Sequence, residues 1–207
     1  MLGFVALAVA SLTLPAKPEP KGNHSGWVQA ADLPEIDNRS ATTTFDLTLD
    51  PSGQAIHCAV IVASGSVQLD RAVCVALLKR ARFKPAVDAA GLPIASVFRD
   101  RVVWRPEASG PNYWFKGADI LVSTPIIERR SKKLAEILLT VSETGLIENC
   151  SVTKSVGNPS LDELACSVAK RENLLPAITD AQGTPVRGIR SLYVGFMPSS
   201  IADVQIM

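Results

Sequence analysis

Four cysteines are the residues of this 207-residue chain whose type and spacing most invite chemistry: Cys58 and Cys74, then Cys150 and Cys166, each pair spaced Cys-x15-Cys. That is not zinc spacing, and histidine occurs only at His24 and His57, so no metal site is expected. A redox-catalytic role is disfavoured because no Cys-x-x-Cys pair is present. His57 adjoins Cys58, but neighbouring residues of a strand point to opposite faces, so they cannot act as base and thiol nucleophile. No phosphate-cradling glycine motif, His-Glu-x-x-His or Gly-x-Ser-x-Gly occurs. Asp70 and Asp162 fall where a helix's first turn would place a carboxylate against the helix dipole, a structural role rather than a catalytic one. Trp27, Trp104 and Trp114 read as packing residues, with the alternative that Tyr113, Trp114 and Phe115 form an exposed aromatic contact. The sequence describes no enzyme, cofactor or small-molecule substrate.

The elements that carry these cysteines recur. The stretch Gly53-x4-Cys58-x10-Leu69-Asp70-x3-Cys74-x10-Pro85-Ala86-x4-Gly91-x-Pro93 returns as Gly145-x4-Cys150-x10-Leu161-Asp162-x3-Cys166-x9-Pro176-Ala177-x5-Gly183-x-Pro185. Most positions are 92 apart, as Cys58 is from Cys150, with a one-residue slip at the Pro-Ala pair. A period of this kind predicts one structural unit used twice, here two small domains of roughly 85 residues each. Trp27-Val-Gln-Ala-Ala-Asp32 has its own echo in Trp114-Phe-Lys-Gly-Ala-Asp119.

Within the first unit, Phe45, Leu47 and Leu49 alternate onto one strand face, and Asp50-Pro-Ser-Gly53 turns the chain. Ile56, Cys58, Val60 and Val62 are expected on the core face of the return strand. From Leu69 the period changes to Leu69, Ala72, Val73, Ala76 and Leu77, one stripe of an amphipathic helix. A third strand is expected over about Ile94 to Trp104. The second unit repeats this with strands at Ile137–Val141, Ile147–Ser155 and Val186–Phe196. Its helix carries Leu161, Leu164, Ala165, Val168 and Ala169, and is capped either by Asn158-Pro159 or by a Ser160/Glu163 box. The fold class is therefore α+β: two β-β-α-β units, each a three-stranded antiparallel sheet with a helix packed on one face. In each unit one cysteine lies on the core face of the second strand and the other on the helix. The repeat thus favours disulfides Cys58–Cys74 and Cys150–Cys166, each closing a loop of about 15 residues and contributing about 3 kcal/mol, with buried free thiols as the alternative.

Lys+Arg of 21 against Asp+Glu of 20 gives a formal charge of +1 without a basic block, which argues against nucleic acid. The 47% hydrophobic content is that of a folded globular chain. Residues 1–16 are an apolar, signal-peptide-like leader, shorter than the roughly 18 to 20 residues of a spanning helix and lacking a basic start. Alternatives are a longer membrane anchor whose start lies upstream, or a docked terminal helix. Residues 17–26 read as a linker, 27–106 as the first domain, 107–113 as a second linker, 114–198 as a divergent second domain and 199–207 as a tail. A periplasmic or secreted location follows, or an inner-membrane anchor facing the periplasm.

Each unit resembles the C-terminal domain of the TonB family in its cysteine-bearing variant. The residues that carry this are Phe45-Asp-Leu-Thr-Leu-Asp-Pro-Ser-Gly53-Gln-Ala-Ile-His-Cys58-Ala-Val, Ser64-Gly65, Leu69-Asp70, Ala81-Arg-Phe-Lys-Pro85-Ala86, Gly91 and Pro93. The likeness covers about 27–105 and, less closely, 114–197. It implies a binding module that takes an extended segment of an envelope protein, such as an outer-membrane receptor, by strand addition to the third strand. Here that edge would be Val97, Arg99, Arg101 and Val103, and in the second unit Ile189, Ser191 and Tyr193. Arg99 and Arg101 would equally suit an edge kept soluble by charge. The family's proline before the first strand corresponds to Pro34, whereas Ile120-Leu121 stands at the matching place of the second unit. Alternatives are an envelope scaffold whose edges pair or self-associate, and an energy transducer with a misassigned start. A thiol oxidoreductase is a further one.

Overall fold

The computed structural model describes residues 14–32, 34, 41–104, 117–126, 134–172, 175–198 and 204–206. Most of the leader, the linker 107–113, the Tyr113-Trp114-Phe115 group and most of the tail lie outside them. In chain order the strands are β1 (Glu19–Pro20), β2 (Ala41–Leu49), β3 (Ala55–Val62), β4 (Phe83–Lys84), β5 (Ala86–Val87), β6 (Pro93–Trp104), β7 (Ile120–Thr124), β8 (Leu134–Val141), β9 (Ile147–Lys154), β10 (Gly188–Pro198) and β11 (Val204–Ile206). Helix α1 (Val67–Arg80) lies between β3 and β4, and α2 (Pro159–Glu172) between β9 and β10. The architecture is α+β around a mostly antiparallel sheet, and a hairpin, a helix and a long strand follow one another in each half of the chain.

The first hairpin turns because the Asp50 carboxylate accepts the N–H groups of Ser52 and Gln54, at 2.9 and 3.0 Å. Gly53 sits at φ 83°, and a Cβ there would lie 2.2 Å from the Phe83 carbonyl oxygen, so both conformation and space demand glycine. In the second hairpin the Ser142 hydroxyl accepts from Leu146 N–H at 3.1 Å. Gly145 has the same φ of 83°, but its nearest would-be contact is the Ala177 Cβ at 3.9 Å.

Helix α1 begins two residues before the expected Leu69, because the Ser66 hydroxyl caps it by accepting Leu69 N–H at 3.3 Å. Helix α2 is capped by Asn158, whose side-chain oxygen accepts Ser160 N–H at 3.0 Å, with Pro159 at the first helical position. Asp70 and Asp162 do sit in first turns, and each also ties down the preceding loop. Asp70 accepts from the Thr43 hydroxyl at 2.6 Å and from Ser64 N–H at 3.0 Å, and Asp162 accepts from Val156 N–H at 3.1 Å.

The expectation of separate three-stranded sheets is corrected. β2 pairs antiparallel with β3 and β6, and β8 pairs antiparallel with β9 and β10, but a parallel pairing of β6 with β10 fuses the two into one sheet. Its register matches Ala95 with Gly188, Ser96 with Ile189 and Val97 with Arg190. Farther along, β10 leaves β6 and pairs in parallel with β7, a strand the sequence reading lacks, and β11 pairs with β7.

The helices cover opposite faces of this sheet. Phe45, Leu47 and Leu49 pack with Leu69, Val73 and Leu77 of α1, beneath Trp27 and Phe83. Leu47 stands opposite Phe98, so the neighbouring Val97 points to the other face. There Ala95 and Val97 join Ile137, Leu139 and Val141 in the core beneath Leu161, Ala165 and Val168 of α2. One strand of the first half thus builds part of the second half's core.

The expected core face of β3 fails at its end, where Val60 and Val62 are 38% and 55% exposed. An extra residue in β3, between the Phe45–Val60 and Thr44–Val62 pairs, carries Val62 to the other face, and among the described residues no strand lies beyond β3 to cover either side chain. The start of the described chain is also more than a linker: Ala16 and Val87 exchange backbone hydrogen bonds of 2.9 and 3.0 Å, β1 pairs with β4, and Lys17 forms an ion pair with Glu136. No helix among the described residues is long and apolar enough to cross a membrane.

Candidate strand-edge site

The expected edge residues divide along β6 and β10. Val97, only 3% exposed, is in register with Arg190, and Ile189 lies between Ser96 of β6 and Thr140 of β8. Ser191 is half-buried opposite Leu138. Tyr193 stands opposite Glu136, and on its other side its N–H donates to the Asp119 carboxylate while its carbonyl accepts from Asp119 N–H, both at 2.7 Å.

Arg99 is not a solvated edge charge. Its Nε and Nη2 donate to the two carboxylate oxygens of Asp46 at 2.6 and 2.8 Å, and its Nη1 to Asp119 at 2.9 Å. Arg190 joins them, donating from Nη1 to Asp46 Oδ2 at 2.8 Å. Burial works against the Arg99 cation, but the carboxylates of Asp46 and Asp119 outweigh it and raise its pKa above the usual arginine value. Arg190, 4% exposed, goes the other way: burial lowers its pKa, against the pull of Asp46 and with help from the Arg99 charge. Burial, and then the Glu136 carboxylate that accepts from its hydroxyl at 3.1 Å, push the Tyr193 phenol up to about 12. Asp46 and Arg190 were not singled out from sequence. The available signal was an arginine in β10 at the place where the first half has Phe98.

Beyond Val97, β6 diverges from β10. From Phe98 to Trp104 it pairs with β2 on one side, and among the described residues no strand lies on the other. A cleft of about 220 Å³ crosses the sheet face here, from Ile61 and Val62 of β3 over Thr44 of β2 to Arg99 and Arg101 of β6, and reaches Ala118 beyond the open side. Arg101 and Val103 are half-buried along this open half, with Val103 in register with Thr42.

The cysteines form the two expected disulfides, Cys58–Cys74 and Cys150–Cys166, with Cα–Cα distances of 5.6 and 5.8 Å. Cys58 is therefore no nucleophile, and His57 beside it is exposed. Each bond ties a helix to the outer strand of its half.

Residues 134–196 match the family model of the Gram-negative bacterial TonB protein C-terminal. The matched stretch runs from the start of β8 into β10, so it takes in one hairpin, its helix and the long strand that follows. It supports a TonB C-terminal-like domain there, in the half that the sequence reading treats as the more divergent. Comparison with curated proteins and with solved structures gave no match.

Proposed function

We propose that this chain is a periplasmic protein-interaction module of the TonB type, a tandem of two β-β-α-β units that binds extended segments of envelope proteins and catalyses nothing. The match over residues 134–196 supports the class of the module, and the common hydrogen-bonded turns and loop ties of the two halves support the tandem reading. The observation that carries the binding site is the half of β6 that has no second strand beside it among the described residues. A segment adding there would run beside Arg99, Arg101 and Val103, at the end of the cleft that Ala118 lines. Val97 and Ile189, already in register with neighbouring strands, would anchor the site rather than contact the peptide. An outer-membrane receptor with a short extended terminus is the kind of partner this suits, and a role in TonB-linked transport would follow.

Titrating the isotope-labelled, oxidised protein with synthetic receptor-terminus peptides tests this. The backbone amide signals of residues 98–103 are expected to move while those of β8 and β9 stay. If no peptide moves any strand-edge amide, the binding reading fails. The second reading, a structural envelope scaffold, then takes its place, and the closure of β6 on β10 around Asp46 favours it.

A further inference from the structure

We propose that the cleft on the sheet face of the first half receives the free carboxyl end of a bound segment, with Arg101 holding the carboxylate and Ile61, Val62 and Thr44 packing the last, apolar side chain. The inference rests on the strand-edge reading above and names the part of the segment that the site selects. Of the arginines at and beside the cleft, two have acceptors. Arg99 uses Nε, Nη1 and Nη2 on Asp46 and Asp119, and Arg190 donates to Asp46. The Arg101 guanidinium has no hydrogen bond or ion pair among the described residues, and its Nη2 is buried without a partner. A buried cationic donor left unmet is costly, and an entering anion removes that cost.

The carboxylates nearby do not fill this role. Both oxygens of Asp119 are taken, Oδ1 by Arg99 and Oδ2 by Tyr193 N–H, and both oxygens of Asp46 are taken by Arg99. Asp100 accepts the Arg101 backbone N–H at 2.9 Å, but as its strand neighbour it leaves the backbone on the opposite face. These acids also set the charge of the ligand. With Asp100 and Asp119 on the cleft wall and one guanidinium to spare, a single carboxylate is favoured over a phosphate group.

The rest of the cleft sets the size and the polarity. Thr44 is in register with Arg101 on one side and with Val62 on the other, so the three share one sheet face across two strand spacings, about 10 Å. Val62 and Ile61, 55% and 41% exposed, form the apolar end. The 220 Å³ of the cleft equals about seven waters at about 30 Å³ each. That is about as many non-hydrogen atoms as a leucine side chain and its terminal carboxylate contain. Because Nη2 is enclosed, docking turns the guanidinium toward the cleft, where its planar fork takes both carboxylate oxygens.

Magnetic resonance of the full, oxidised, isotope-labelled chain is the test. The probes are N-acetyl-leucine and its amide, hexanoate, and leucine-ending peptides in free-acid and amidated form. N-acetyl-leucine and the free-acid peptides are expected to move the Arg101 Nε–H signal and the backbone amides of Thr44, Val62 and Ala118. They should bind about 10-fold or more tightly than their amides, the worth of a charge-assisted hydrogen bond. Arg101→Met is expected to erase that preference. Thr44→Glu, which sets an acceptor beside Arg101, should erase it too, and keeps the test valid if Arg101→Met fails to fold. Equal binding of acid and amide, a preference that survives both variants, or no movement of these signals with any probe would each overturn the proposal. So would hexanoate binding more tightly than N-acetyl-leucine, since the ligand would then be a free short-chain acid. Strand addition is scored separately. If amidated peptides move amides 98–103 as strongly as free-acid peptides do, strand addition stands and the carboxyl-end proposal fails. If N-acetyl-leucine docks through Arg101 while no peptide moves the amides along 98–103, strand addition fails and the carboxylate site stands.

Discussion

At one register position the two halves of the molecule differ in a way that explains how they fit together. Phe98 stands opposite Leu47 on β2, and Arg190 stands opposite Leu139 on β8. Phe98 closes its own half's core, with ring centroids 4.8 Å from Phe83 and 6.5 Å from Trp27. Arg190 instead reaches out of its half to Asp46, where it shares a carboxylate with Arg99. The same backbone frame therefore uses one position for inward packing and the other for holding its neighbour. The join is polar and buried, which makes it specific in register and costly to leave half-made.

The sharpest way to break that asymmetry is Asp46→Ala. Two guanidinium groups would lose their shared partner, with Asp119 left to Arg99 alone, and a loss of about 3 to 5 kcal/mol is expected in denaturant unfolding of the oxidised protein. A loss under about 1 kcal/mol would mean that the β6–β10 join contributes little to the fold.

A second comparison sets Gly53→Ala against Gly145→Ala. Both carry the cost of a left-handed backbone, about 1 to 2 kcal/mol, but only Gly53 has a carbonyl oxygen where the methyl would go. The first substitution should therefore cost about 1 to 3 kcal/mol more than the second in the same unfolding measurement. Equal costs would show that the loop at Phe83 yields readily.

The smallest effect concerns acid. Burial raises the pKa of Asp70, but hydrogen bonds from Thr43 and Ser64 outweigh it and hold the carboxyl below the ordinary aspartate value. A depressed native pKa gives stability that is present above the unfolded value and is lost as pH falls through the native one. Asp70→Asn should thus cost about 1 kcal/mol at neutral pH, and the gap to wild type should narrow below about pH 4. Chemical denaturation at several pH values reads this directly, and a gap that stays constant would remove Asp70 from the acid response.

Sequence pattern alone revealed the hairpins, the helical stripes and the cysteine pairs, because each is set by contacts within some thirty residues. It did not reveal the partner of a strand edge. The alternation in β6 says which side chains share a face, but says nothing of what lies beside the strand, so Ala95 and Val97 could not be assigned to the other half's core. A signal was nonetheless present in β10, which contains Gly188 and Gly195. A Cβ at Gly188 would lie 2.7 Å from the Ala95 carbonyl oxygen, and one at Gly195 would lie 2.9 Å from the Ala118 Cβ. Glycines inside a strand mark close approach, here of β6 and of the segment leading into β7. Arg190 hid for a related reason: an arginine between apolar strand residues looks like an outward charge until the carboxylate across the sheet is in view.

The parallel join also imposes an order in time. Gly188 follows its partner Ala95 by 93 residues, so this contact closes the longest loop among the main strand pairings and is expected to form late in folding. A chain emerging from its amino end completes β2, β3, α1 and β6 well before β10 exists. Throughout that interval the whole of β6 from Ala95 onward is an uncapped edge, and β3 is another. The nascent first half is thus the stage at which this protein is most exposed to mispairing, and a chaperone that shields strand edges would act on it there.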